Sequence, residues 1–99
     1  MAEFFSRLFA IEDKADFKGL LQNGAVLVDV RTEEEYKQGH SKNSLNIPLD
    51  TLSGNLSKLK KDEVIICVCQ SGVRSKNAAT ILRSNGFNEV YNGGSWSNF

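Results

Sequence analysis

"EVIICVCQSGVRSKNAATIL", Glu63 to Leu82, joins an almost unbroken apolar run to a segment of helical periodicity. Val64 to Val68 carry no charge and read as the most apolar, central strand of a sheet buried on both faces. Ala78, Ala79, Ile81 and Leu82 then recur at helical spacing, and Asn85-Gly86 is the stop. Between strand and helix lies "CQSGVRS", Cys69 to Ser75. Gly72 supplies the backbone freedom that a sharp turn there requires. In open α/β sheets, ligands bind where a strand's carboxyl end runs into a helix's amino end.

The flanking sequence repeats this alternation. "DKADFKGLLQNG" predicts a helix with Phe17, Leu20 and Leu21 on one face and a stop at Asn23-Gly24. "AVLVDV", Ala25 to Val30, predicts a buried strand, and "TEEEYKQG" a helix opened by a Thr32/Glu35 capping box and ended at Gly39. "SLNIP" reads as a short strand closed by Pro48. "DTLSGNLSKLKK" places Leu52, Leu56 and Leu59 at helical spacing behind an Asp50 cap. "NEVYN" is a last short strand, and 92–99 a tail. The alternation predicts a single α/β domain over 1–99 with a mainly parallel sheet, and 1–12 as an amphipathic lead-in.

Twelve basic and twelve acidic residues cancel over 99 residues, so no global field draws the chain to nucleic acid or an anionic membrane. No apolar run approaches the roughly 18–20 residues of a membrane span. The N-terminal residues lack a basic leader and a cleavage site, which reads as cytoplasmic. Cys67 and Cys69 are too close along an extended segment to staple anything, in keeping with a reducing compartment. C-x-C with one histidine is a poor zinc set, and no metal or organic cofactor is expected.

Cys69 to Ser75 carries the chemistry. A tight turn entering a helix gathers backbone N–H groups into an anion nest, and the helix end adds its positive dipole. Gln70, Ser71, Gly72 and Val73 form that cradle. Arg74 offers a charge and a planar fork, and Ser75 completes the site. All of these favour thiolate over thiol, so Cys69, emerging at the sheet's edge, is expected to ionise well below the free value of roughly 8.5. An activated thiolate facing a positive cradle suits nucleophilic attack on an anionic substrate. Cys67 has apolar neighbours and reads as an inert core residue.

Four pieces in this order, "LVDVRTEEEYKQGH", "NIPLDTL", "VIICVCQSGVRSKNAATILRSNGF" and "VYNGGSW", resemble the rhodanese family of sulfurtransferase domains. The resemblance runs from about Phe17 to Trp96. It implies a rhodanese-like α/β fold, a small parallel sheet of about five strands flanked by helices on both faces. It also implies that Cys69 takes a sulfane sulfur from thiosulfate or a persulfide and passes it to cyanide or a thiol. A protein as sulfur donor or acceptor is a further expected partner. The alternative is a persulfide-carrying or protein-interaction module with little small-molecule turnover. Phosphatase or arsenate-reductase relatives use C-x5-R, whereas Cys69 to Arg74 is C-x4-R, a smaller cradle. "GHSKNSLNIP" departs from the family pattern at Ser41, Asn43 and Ser44, which implies a more polar, looser strand entry. "GGSWSNF" is too short for the family's last helix.

Asp29, Arg31, Glu35 and His40 suggest a Cys–His hydrolase, but strand-end polar partners and a helix cap explain them better. Ser71 and Ser75 hydroxyls serve the cradle or merely cap the turn. Trp96 reads as core cover, and "KLKKDE" as a solvated turn whose Lys58, Lys60 and Lys61 steer an anion if they lie near the loop.

Overall fold

Ile65, Cys67 and Cys69 face one side of the strand Val64–Cys69, and Val64, Ile66 and Val68 face the other. That period of two, in a run apolar at every position, demands cover on both faces. The computed structural model describes residues 15–99 and supplies that cover. The expected lead-in, 1–12, lies outside the described residues.

The described elements run α1 (Phe17–Gln22), β1 (Val26–Asp29), α2 (Glu33–Gln38), β2 (Leu45–Asn46), β3 (Val64–Cys69), α3 (Val73–Ser84) and β4 (Glu89–Ser95). Three short 3₁₀ turns cover Leu49–Gly54, Leu56–Lys58 and Trp96–Asn98. The strands form one parallel sheet in the order β2-β1-β3-β4. Four strands are thus present among the described residues, against the expectation of about five.

On one face, Val28, Val30, Ile65, Cys67 and Val90 pack with Ala78, Ala79 and Leu82 of α3 and with Leu52 and Leu59. On the other, Leu27, Ile66, Val68 and Tyr91 pack with Phe17, Leu20 and Leu21 of α1 and with Trp96 and Phe99. The Thr32/Glu35 box caps α2, as the sequence predicts, and Asp16 caps α1.

Three expectations are corrected. Residues 49–58 form two 3₁₀ turns rather than one α-helix, and Asp50 lies inside the first turn instead of capping it. Leu52 and Leu59 still reach the core, but Gly54-Asn55 interrupts the turns and the Asn55 side chain ties itself to the Thr51 carbonyl. Residues 92–95 continue β4 rather than forming a tail, with a register shift where Cys67 pairs with Asn92 and Val68 with Gly94. Gly93 makes this possible, since a Cβ there would stand 2.8 Å from an Ile66 methyl and 2.9 Å from a Val68 methyl. Finally, the polar entry to β2 is not loose. Ser41 Oγ donates to the Trp96 carbonyl at 2.7 Å, Ser44 Oγ to the Ser41 carbonyl at 2.6 Å, and Tyr36 OH to the Ser44 carbonyl at 2.7 Å.

Candidate active site

β3 delivers Cys69 to the carboxyl edge of the sheet, and the chain turns at once into α3. Gly72 makes the turn at φ +99°, and its carbonyl accepts the Lys76 N–H to begin the helix. Cys69 Sγ does not emerge at the edge as expected. Its pleat position points it at the α3 side of the sheet, and the residue is only 1% exposed beneath its own loop.

The cradle is made of backbone N–H groups. Gly72 N–H donates to Sγ at 3.0 Å and Ser75 N–H at 3.4 Å, with Ser75 Oγ at 3.4 Å. Burial pushes the Cys69 thiol up, but hydrogen bonds from Ser75, Gly72 and the Ser71 backbone outweigh it and leave the thiol below its ordinary value. Burial without such donors pushes Cys67, two residues away, up to about 12. The two cysteines share one face of one strand and differ because only Cys69 meets the helix end.

Asn92, which the sequence reading missed, organises this cradle from β4. Its Nδ2 donates to the Gly72 carbonyl at 3.1 Å, and its Oδ1 accepts from Gly94 N–H at 3.0 Å and from Ser75 Oγ at 2.6 Å. The Ser75 hydroxyl therefore sits fully buried between the sulfur and Asn92, to which it donates. Ser71 is exposed, and only its backbone takes part. The sole hint in the sequence was an asparagine before a glycine pair.

Gln70 Oε1 accepts from Trp96 Nε1 at 3.2 Å, and the Arg31 guanidinium lies 4.4 Å from the Trp96 ring centre. Trp96 thus props the loop as well as covering core. Val73 is 66% exposed.

Arg74 departs from the expected role. Its fork is filled: Nη1 donates to Glu35 Oε1 at 2.7 Å and Nη2 to Oε2 at 3.0 Å. Glu35 still serves the capping box, accepting from Thr32 N–H at 3.1 Å. The Arg74 fork, then the Thr32 backbone, hold its carboxyl down to about 2. Arg31 is likewise engaged, bonded to buried Asp29 at 2.8 Å and to the Gly39 carbonyl at 2.7 Å. His40 stacks on Tyr36 at 3.7 Å, and its Nδ1 lies 2.7 Å from the Tyr36 carbonyl, so it makes no Cys–His pair. The Lys58, Lys60 and Lys61 cluster precedes β3, at the end of the sheet opposite Cys69. Steering by these lysines is not supported.

Two clefts of about 280 Å³ flank the loop. One is lined by Val30, Thr32, Pro48, Leu49, Asp50 and Arg74, the other by Arg31, Glu35, Gln38, Gly39, Gln70 and Trp96. A larger cleft of about 640 Å³ lies between Phe17, Leu21 and Phe99 and reaches Asn92 and Gly94; Cys69 lines none of the three. Among the described residues no three His, Cys, Asp or Glu side chains gather as a metal site would need. No helix among them is long and apolar enough to cross a membrane.

The rhodanese-like domain family matches residues 13–99. YqhL of Bacillus subtilis is 41% identical over 68 residues, covering 69% of this chain and 54% of that protein. The tRNA uridine(34) hydroxylase of Cronobacter sakazakii is 38% identical over 73 residues, covering 68% of this chain but 21% of the hydroxylase. The chain thus spans about half, or about a fifth, of the length of these relatives. The human single-domain sulfurtransferase TSTD1 superposes with a TM-score of 0.73 at 30% identity, over 82% of this chain and 87% of that one.

Proposed function

Since this chain belongs to the rhodanese-like domain family, we propose that it is a sulfurtransferase carrying sulfane sulfur on Cys69. One observation carries the reading: Gly72 and Ser75 N–H groups converge on Sγ at 3.0 and 3.4 Å at the amino end of α3. Donors placed around a single sulfur stabilise negative charge on that atom. The Cys69 thiolate attacks the terminal sulfur of thiosulfate. The new S–S bond forms on Cys69 as the donor's S–S bond breaks, and sulfite leaves with the bonding pair. From a persulfide donor, the leaving group is the thiolate. Cyanide or a thiolate acceptor then attacks the outer sulfur and returns the Cys69 thiolate. Because Cys69 is buried, with 1% of the residue exposed, the incoming atom must fit end-on beneath the loop, which suits a terminal sulfur better than a phosphoryl group ringed by oxygens.

A second reading, a persulfide carrier serving a protein partner, is favoured by Val73. Val73, the first residue of α3, is 66% exposed next to the loop that covers buried Cys69. Intact-protein mass spectrometry after thiosulfate or cysteine persulfide tests both. The sulfurtransferase gains one sulfur atom, loses the gain in Cys69→Ser, and makes thiocyanate from cyanide repeatedly. The carrier gains the sulfur but turns over poorly. No sulfur from either donor, with hydrolysis of an aryl phosphate above the Cys69→Ser control, overturns the sulfur-transfer reading in favour of a phosphatase.

A further inference from the structure

Arg74 is the cation nearest the cradle along the chain, and the structure gives both of its terminal nitrogens to the two oxygens of Glu35. Glu35 is not a loose surface acid that a passing anion displaces easily. Its Oε1 also accepts from Thr32 N–H and Thr32 Oγ1, both at 3.1 Å, so α2 fixes its position while Arg74 binds it. The carboxyl remains ionised throughout the neutral range. The other nearby arginine, Arg31, is committed to Asp29. Charged residues lining the two flanking clefts balance: Arg74 with Asp50 in one, Arg31 with Glu35 in the other. In these two clefts no arginine is left unpaired, and what remains there for an incoming ligand is the set of N–H dipoles on Sγ, which match one negative sulfur.

We propose that Glu35 is a specificity-determining residue of this site: by filling the Arg74 fork, it disfavours doubly charged oxyanion donors and leaves the site to singly charged persulfides. The inference rests on the sulfurtransferase reading for its donors. Thiosulfate carries two negative charges, and its sulfonate oxygens seek a planar fork of the kind Glu35 occupies. Cysteine persulfide carries a net charge of minus one at neutral pH, its ammonium offsetting its carboxylate, and needs only the N–H cradle for its reacting sulfur.

The test compares wild type with Glu35→Gln and Glu34→Gln. Glutamine at position 35 can keep the capping box, because either residue serves at that position. Glu34 lies in the same first turn but is not the ion-pair partner of Arg74, so its variant carries the same charge change without releasing the fork. Glu35→Gln should raise kcat/KM for thiosulfate about five- to tenfold relative to that for cysteine persulfide, the scale of one charge acting on a dianion over a few ångströms near water. Glu34→Gln should leave the ratio unchanged. An equal shift in both variants, or none in Glu35→Gln, overturns the proposal. Thiosulfate affinity is also measured by calorimetry on a Cys69→Ser background, where no transfer occurs. There Glu35→Gln should tighten binding by a similar factor and Glu34→Gln should not. If wild type takes up sulfur from neither donor while this affinity difference holds, the sulfurtransferase reading falls and the role of Glu35 in anion selection stands. If the affinity does not change, the role of Glu35 is refuted whatever the turnover.

Discussion

Gly72→Ala tests the link between backbone geometry and the Cys69 thiol. Gly72 stands at φ +99°, where an L side chain costs about 1–2 kcal/mol. A Cβ at this site would also lie 3.3 Å from Gly94 Cα, and β4 backbone yields less readily than a side-chain tip. Overpacking of this mild kind adds about 1 kcal/mol, for a total of about 2–3 kcal/mol. For a domain of this size the melting temperature should fall by roughly 10–20 °C. Gly24→Ala is the internal control, with φ +98° and nothing within 4 Å of the new Cβ, so it should cost only the backbone part, about 1–2 kcal/mol. The two variants should also part company at the thiol. Displacing the turn disturbs the 3.0 Å bond from Gly72 N–H to Sγ, so the Cys69 thiol should titrate higher in Gly72→Ala and unchanged in Gly24→Ala. Thermal unfolding and iodoacetamide alkylation rate against pH read the two effects. If Gly72→Ala costs no more than Gly24→Ala, or leaves the thiol titration where it was, the close packing of the turn on β4 does not tune the Cys69 thiol.

Cys67→Ser should lower stability by about 1–3 kcal/mol in denaturant titration, because a hydroxyl enters a fully buried apolar position, while sulfur uptake at Cys69 persists. Glu35 has a folded value of about 2 against an ordinary 4.5, so its contribution is complete above 4.5 and is lost as pH falls toward 2. Wild type should therefore exceed Glu35→Gln by about 1 kcal/mol at neutral pH, the pair being a third exposed and screened, and the gap should close on acidification; a constant gap would refute the assignment. Replacing Lys58, Lys60 and Lys61 together with glutamine should leave the thiosulfate KM unchanged at physiological salt, since the length of β3 separates them from Cys69 and screening acts over about 8 Å. A raised KM would show that these lysines steer the donor after all.

Local chemistry made much of this protein legible in advance. An apolar run, a glycine turn and a helical repeat marked Cys69 as the residue at a strand–helix junction. The apolar flank of Cys67 marked it as inert, and a Thr–Glu box marked the start of α2. The same periodicity misplaced the 49–58 segment, because apolar spacing alone does not distinguish α from 3₁₀ turns broken by Gly54-Asn55. It also ended β4 early, because a glycine pair usually signals a loop. Only the packing of β4 on Ile66 and Val68 reveals why glycine is required inside that strand.

Each element's place along the chain, and the position of Cys69 where a strand runs into a glycine turn and a helix, follow from local residues, since each depends on neighbours a few positions away. The tertiary structure decided what surrounds them. Parallel order β2-β1-β3-β4 sets the carboxyl ends of β1, β3 and β4 along one edge, bringing together the residues that follow each strand. Glu35 thus reaches Arg74 across 39 residues, Asn92 reaches Ser75 across 17, and Ser41 reaches Trp96 across 55. Such pairings leave no periodic trace along the chain, so the fork of Arg74 reads as open in the sequence and is closed in the fold.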